Sequence, residues 1–140
     1  MYIEQTDIEA GGLYPEILQV IARNPETITN AIKEAISEVS AYLRVRYDID
    51  TELAKSGDQR NTLVLKMVRD IAVYNCFVGS NPVNMPEIRV LNYKSTISFL
   101  KDIQAEKANI PDLTRLSDAA GKTGSNSLIY GGLERRKNSY

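Results

Sequence analysis

The chain has 140 residues and 43% hydrophobic content, room for one domain with its own core and little for two. Its 17 lysines and arginines against 18 aspartates and glutamates leave a net charge of −1, so the molecule as a whole projects no basic field toward nucleic acid or acidic lipid. Histidine is absent and Cys76 is the single cysteine, which excludes an internal disulfide, a Cys/His zinc site and the nucleophilic or general-base mechanisms that depend on histidine.

The opening MYIEQTDIEAGG has neither the basic nor the apolar region of a secretory signal, and no apolar run approaches the roughly 20 residues of a membrane span. The expectation is a soluble protein made in the cytoplasm, with no membrane partner. Thr6 and Glu9 stand at capping-box spacing and open a short helix that Gly11-Gly12 interrupts. Pro15 then starts a second short piece, in which Ile17, Val20 and Ile21 share one helical face.

Asn24 is a good N-cap and Pro25 a good first helical residue, and behind them Ile28, Ile32, Ala35, Val39 and Leu43 recur every three or four positions. The spacing predicts an amphipathic helix from Pro25 to Tyr47, with Lys33, Glu34, Ser37, Glu38 and Arg44 toward water. Asp48 to Gln59 reads as a loop anchored by Ile49 and Leu53, with room for a short extended piece. From Arg60 or Asn61 to Val78 the pattern returns. Val64, Met67, Val68, Ile71, Ala72, Asn75 and Val78 form a stripe that Leu63, Leu65, Tyr74 and Phe77 widen, as befits a central helix. Gly79-Ser80-Asn81-Pro82 stops it. Pro86-Glu87 opens the next helix, expected to run to Glu106 with Ile88, Leu91, Lys94 or Ser95, Ile97 or Ser98, Leu100 and Ile103 inward, and Pro111 ends any continuation.

These elements predict an all-α fold: a small antiparallel helical bundle of about four main helices plus a short N-terminal helix, in a domain spanning residues 1–113. The remainder, residues 114–140, is rich in glycine, serine, asparagine and charge and is expected to form a flexible tail that could not fold alone. Its apolar patch Leu128-Ile129-Tyr130 and its basic residues Arg135, Arg136 and Lys137 make it the candidate partner-binding segment. The first thirty residues lean the other way, with Glu4, Asp7, Glu9, Glu16 and Glu26 against Arg23.

No residue pattern here carries chemistry. Asp48-Ile49-Asp50-Thr51-Glu52 begins like a calcium loop but lacks the required glycine and bidentate glutamate. Gly121-Lys122-Thr123 resembles the end of a phosphate-binding loop, yet Leu116 stands where its first glycine belongs and no strand precedes it. Asp102 and Glu106 read as solvated charges on one helix, and Cys76 as a buried structural thiol. The expectation is a protein that is no enzyme and holds no cofactor or metal.

Four segments in register carry a resemblance. Met1-Tyr2-Ile3 precedes a helix start at Thr6/Asp7, the long helix ends Tyr42-Leu43-Arg44-Val45-Arg46-Tyr47, the central helix holds Arg69-Asp70-Ile71-Ala72-Val73-Tyr74, and Pro86-Glu87-Ile88-Arg89 leads to Tyr93 and Leu100-Lys101-Asp102-Ile103. In order and spacing, from Met1 to Ile110, the chain resembles the Mu-like prophage head-tail connector family of tailed bacteriophages. The resemblance implies a structural adaptor at the head-tail junction of the virion, a subunit that forms a ring with copies of itself on the twelvefold portal. Its partners would be the portal protein and the tail or stopper proteins, with non-specific proximity to packaged DNA. The chain departs from the simplest family pattern in its polar Asp48–Gln59 connection and its long tail. The alternative is a small helical nucleic-acid-binding regulator, with the helices from Arg60 and Pro86 as a helix-turn-helix-like pair and the basic tail as an arm.

Overall fold

The computed structural model describes residues 1–10, 25–80 and 85–116. Helix α1 spans Gln5–Ala10. Its start is fixed two residues earlier than the Thr6/Glu9 spacing predicts, because the Glu4 N–H donates to the Asp7 carboxylate at 2.9 Å while the Asp7 N–H donates to the Glu4 carbonyl at 3.0 Å. Glu9 instead receives the Gln5 side-chain amide at 2.8 Å. The predicted piece from Pro15 to Ile21 lies outside the described residues.

Helix α2 runs Pro25–Leu43 and buries Ile28, Ile32, Ala35, Val39 and Leu43, the row its spacing predicts, together with Ala31 and Ser40. It stops before Tyr47. There the chain turns so that Tyr47 pairs with Arg115 in an antiparallel bridge, flanked by Asp48 N–H to the Thr114 carbonyl at 2.9 Å and Leu116 N–H to the Arg46 carbonyl at 3.0 Å. The extended pairing therefore falls at Tyr47, just before the Asp48–Gln59 connection, and within that connection residues 49–53 and 57–59 are helical. Helix α3 covers Ile49–Leu53, with the Asp48 side chain accepting from the Thr51 N–H as its N-cap. A 3-10 turn follows over Gly57–Gln59, where Gly57 takes φ +60°, a conformation that costs glycine little.

Helix α4 extends over Thr62–Ser80, two residues past the predicted end at Val78. Asn61 caps it, its side-chain oxygen accepting from the Leu63 and Val64 N–H groups at 3.0 and 3.2 Å. Val64, Met67, Val68, Ile71 and Ala72 are buried as predicted. Beyond them the face turns: Val73, Cys76 and Phe77 go inward, Asn75 is half-buried, and Val78 is 48% exposed. Helix α5 spans Glu87–Gln104 and differs more. Its inward row is Arg89, Tyr93, Thr96, Leu100 and Ile103, at intervals of three and four, leaving Ile88 and Leu91 at 47% and 53% exposure. Two contacts with α4 set this rotation: Tyr93 stacks on Tyr74 with ring centroids 3.9 Å apart, and the Thr96 hydroxyl donates to Asp70.

The fold is an all-α bundle in which α4 touches α1, α2 and α5, so the expectation of a central helix holds. Tyr74 against Tyr93 and Asp70 against Thr96 make α4 and α5 antiparallel. The position of Gly79 beside the Thr27 side chain makes α2 and α4 antiparallel as well. One core of buried side chains joins these helices to Tyr2, Ile3 and Ile8 at one end and to Ile110 and Leu113 after α5. Among the described residues, three helices are long and two short, and the bridge at Tyr47 is the sole β pairing. The domain boundary expected at residue 113 falls just before that bridge, and the tail from residue 117 onward lies outside the described residues.

Candidate functional site

The two ends of the bundle differ in chemistry. At the end that gathers α1, α3, the start of α4 and the segment after α5, polar side chains tie the chain together. Tyr2 and Ile3 are buried, although they stand at the second and third positions of the chain. The Tyr2 hydroxyl donates to Glu52 Oε1 at 2.7 Å, and the Asn61 N–H donates to the same oxygen at 2.5 Å. Glu52 is 1% exposed and its other oxygen faces Lys55 Nζ at 2.8 Å. Burial works to raise its pKa, but the bonds from Asn61, Lys55 and Tyr2 outweigh that and hold it below the ordinary carboxylate value. Burial and the adjacent carboxylate push the Tyr2 phenol well above its ordinary range.

Arg60 grips the first helix from outside. Its guanidinium donates to both Asp7 oxygens, at 2.8 and 3.0 Å, and to the Tyr2 carbonyl at 2.8 Å. This forked pairing lowers the Asp7 pKa and raises that of Arg60. A second guanidinium does comparable work across the bundle. Arg46 donates to the Ile103 carbonyl at 2.6 Å, the Ala108 carbonyl at 3.1 Å and Asn109 Oδ1 at 2.9 Å, which satisfies acceptors at the C-terminal end of α5 where positive charge suits the helix dipole. Beside it, the Tyr47 hydroxyl accepts from the Ile110 N–H at 3.0 Å. Arg46, Tyr47, Leu100 and Ile103, all within the segments that carry the family resemblance, thus hold the fold together.

At the opposite end, where α4 finishes and α2 and α5 begin, exposed Val78, Ile88 and Leu91 stand among exposed polar residues. Extending the register of the Tyr74–Tyr93 and Asp70–Thr96 contacts by one turn places Val78 beside Ile88 and Arg89. Leu91 lies one turn further along the outer face of α5. Exposed Glu87 adjoins Ile88, and exposed Glu26 adjoins Thr27, which meets Gly79. Half-buried Tyr93 donates to Glu38 at 3.3 Å, and burial followed by that carboxylate raises its pKa. Three further large exposed apolar side chains, Met1, Val45 and Leu116, sit at the polar end, the last two on either side of the Tyr47 bridge.

The sequence-predicted partner-binding residues Leu128, Ile129, Tyr130, Arg135, Arg136 and Lys137 all lie outside the described residues. Cys76 is buried, and burial pushes its thiol up to about 11. Among the described residues no three of the histidine, cysteine, aspartate and glutamate side chains gather to hold a metal ion, and no helix is long and apolar enough to cross a membrane. Sequence reasoning missed Glu52, Arg60 and the exposed end of α5. Glu52 had a signal, since it follows Ile49 by three residues and so shares its buried face; Arg60 had none, because its partners are 53 and 58 residues away.

In comparison with known proteins, the family model described as Bacteriophage Mu, Gp36 matches residues 2–127. No curated protein and no solved structure matches the chain.

Proposed function

We propose that this chain, which belongs to the bacteriophage Mu Gp36 family, is a structural head-tail connector subunit. It docks on the portal ring, joins copies of itself into a ring that follows the portal's symmetry, and presents a surface to the tail or stopper proteins at the head-tail junction of the virion. It performs no catalysis. The observation that supports this reading is the match of the bacteriophage Mu Gp36 family model to residues 2–127, beside which Ile88 and Leu91 leave an apolar strip exposed along α5. Half-exposed aliphatic side chains three positions apart on one helix mark a surface suited to being covered by protein.

The nucleic-acid alternative draws less support. A recognition helix presents a row of basic and amide side chains, whereas the exposed face of α5 sets Lys94 and Lys101 among Glu87, Ile88, Leu91 and Asp102. The testing experiment is absolute mass by light scattering over a range of concentrations, together with capture on portal-bearing heads lacking this protein. A ring-sized species, alone or on the portal, is the expected result. A chain that stays monomeric at every concentration and leaves such heads unable to join tails overturns the connector role, and salt-dependent binding to duplex DNA would then favour the regulator.

A further inference from the structure

We propose that a trough on the first turns of α4 receives the exposed Glu87-Ile88-Leu91 strip of a second copy of this chain. The inference rests on the connector reading above, which is what makes the partner another copy.

Two depressions meet on that stretch of α4. One, of about 300 Å³, is walled by Leu63, Leu65, Lys66 and Arg69; the other, of about 190 Å³, shares Leu63 and Lys66 with it and continues over Met67 to Phe99 on α5. Leu63, Leu65 and Phe99 are half-buried, so the trough has an apolar floor open to solvent. Volumes at or below the roughly 300 Å³ where small-molecule sites begin suit the side chains of a protein partner better than a cofactor.

Charge narrows the partner further. Lys66 is held by Asp70 at 2.7 Å, but half-buried Arg69 makes no hydrogen bond or ion pair among the described residues. Asp7, a carboxylate that feels the charge of Arg69, has both oxygens taken by Arg60. A guanidinium without a partner beside an apolar floor suits a ligand that brings a carboxylate and aliphatic side chains together.

The start of α5 supplies that combination. Glu87, Ile88 and Leu91 fall within about 100° of arc on their helix, and all three are exposed, the two aliphatic ones by 47% and 53%. The strip cannot enter its own trough. Thr96 is the residue of α5 that faces Asp70, and Glu87 stands about 14 Å of helix before it. Seated on a second copy, Ile88 and Leu91 fill the two depressions and Glu87 meets Arg69. Exposed Lys94, one turn past Leu91, fixes the direction, because the reverse orientation sets it against Lys66 and Arg69. Strip and trough share no residue, so each copy can give one and take the other. That heterologous contact, repeated about an axis, generates a ring when the rotation closes.

The test places the photo-reactive residue p-benzoylphenylalanine at position 88 of the full-length chain. The protein is irradiated free in solution and on isolated portal rings, and the double-mass products of a denaturing gel are mapped by mass spectrometry. The expected result is cross-links from position 88 to the peptide holding Leu63, Leu65 and Arg69 or to the one holding Phe99. Glu87→Arg and Arg69→Glu should each lower their yield about threefold or more, and the double variant should recover most of it, because reversing both charges restores the pair. Leu91→Lys should lower it about tenfold, since a half-exposed leucine covers enough apolar surface for one decade of affinity. Double-mass products that map to another surface of this chain overturn the trough while leaving self-association, and with it the connector reading, intact. Products joined to a portal peptide overturn it in favour of the portal as the occupant. Charge reversals that fail to rescue each other, or no double-mass product in either setting, overturn the contact; a chain that also stays monomeric by light scattering and on the portal refutes the connector reading as well.

Discussion

Replacing Glu52 with alanine tests whether the buried carboxylate, and not the apolar core alone, holds the beginning of the chain in place. The substitution removes the acceptor for two buried donors, the Tyr2 hydroxyl at 2.7 Å and the Asn61 N–H at 2.5 Å. Bonds to a charged acceptor are worth about 1.5–3 kcal/mol each. Tyr2 keeps a weaker acceptor in the Asn61 carbonyl at 3.3 Å, and Lys55, being partly exposed, regains water at little cost. The expected loss is about 3 kcal/mol, a large part of the roughly 5–15 kcal/mol that holds a domain folded. At this chain length it lowers Tm by about 10 °C. Urea unfolding followed by circular dichroism measures it, with Tyr2→Phe as the partner variant. Tyr2→Phe removes one donor while the carboxylate keeps Asn61 and Lys55, so it should cost about 1.5 kcal/mol. The double variant should cost less than the sum of the two, by about 1 kcal/mol, because both remove the same bond. A Glu52→Ala loss below about 1 kcal/mol, or strict additivity in the cycle, would refute the network.

Four further outcomes are expected. Asp7 and Glu52 are both held below ordinary carboxylate values when folded, so the stability they supply is complete above about pH 4.5 and is lost as pH falls through their lowered folded values; Arg60→Met should flatten that acid slope in equilibrium unfolding. Arg46→Ala should cost about 2 kcal/mol by leaving the Ile103 and Ala108 carbonyls short of a donor, and should speed amide exchange at residues 105–110 before it does so elsewhere. Cys76, with its thiol raised to about 11, should resist iodoacetamide in the native protein and react at the rate of unfolding. Leu91→Lys should change stability by less than about 0.5 kcal/mol, while Leu100→Ala on the same helix should cost about 2–5 kcal/mol.

Where periodicity and caps agree, the sequence reveals the structure directly. In α2 one row of branched and small residues faces a single neighbour layer for five turns, and every member predicted to be buried is buried. Asn61 and Pro86 mark helix starts by local chemistry alone. In α5 the same method errs, because Ile88 and Leu91 fit an apolar stripe as well as Tyr93 and Thr96 fit a polar one. The choice between the two rows is made by Tyr74 and Asp70 on another helix, contacts with no trace in the local pattern. The boundary of α2 is hidden for a similar reason. Helix propensity would carry it to Tyr47, but residues 114–116 pair with 46–48, and that competition is settled by segments nearly seventy positions apart.

The misread rows are also where function is most readily sought. A sequence rule assigns apolar residues to the core, so it misreads a helix whose covered row is partly polar and whose exposed row is partly apolar. In α5 the covered row contains Thr96, whose hydroxyl is satisfied by Asp70, and Tyr93, whose hydroxyl is satisfied by Glu38. Polar groups were thus buried with partners while Ile88 and Leu91 were left at the surface, an arrangement that burial of apolar area within this chain alone does not favour. The stability lost by exposing them becomes binding free energy when another protein covers them. That exchange is what the proposed connector role would draw on. The polar end obeys the opposite logic: Glu52, Arg60 and Arg46 each spend their hydrogen bonds inward, fixing the site from which the chain beyond Leu116 departs.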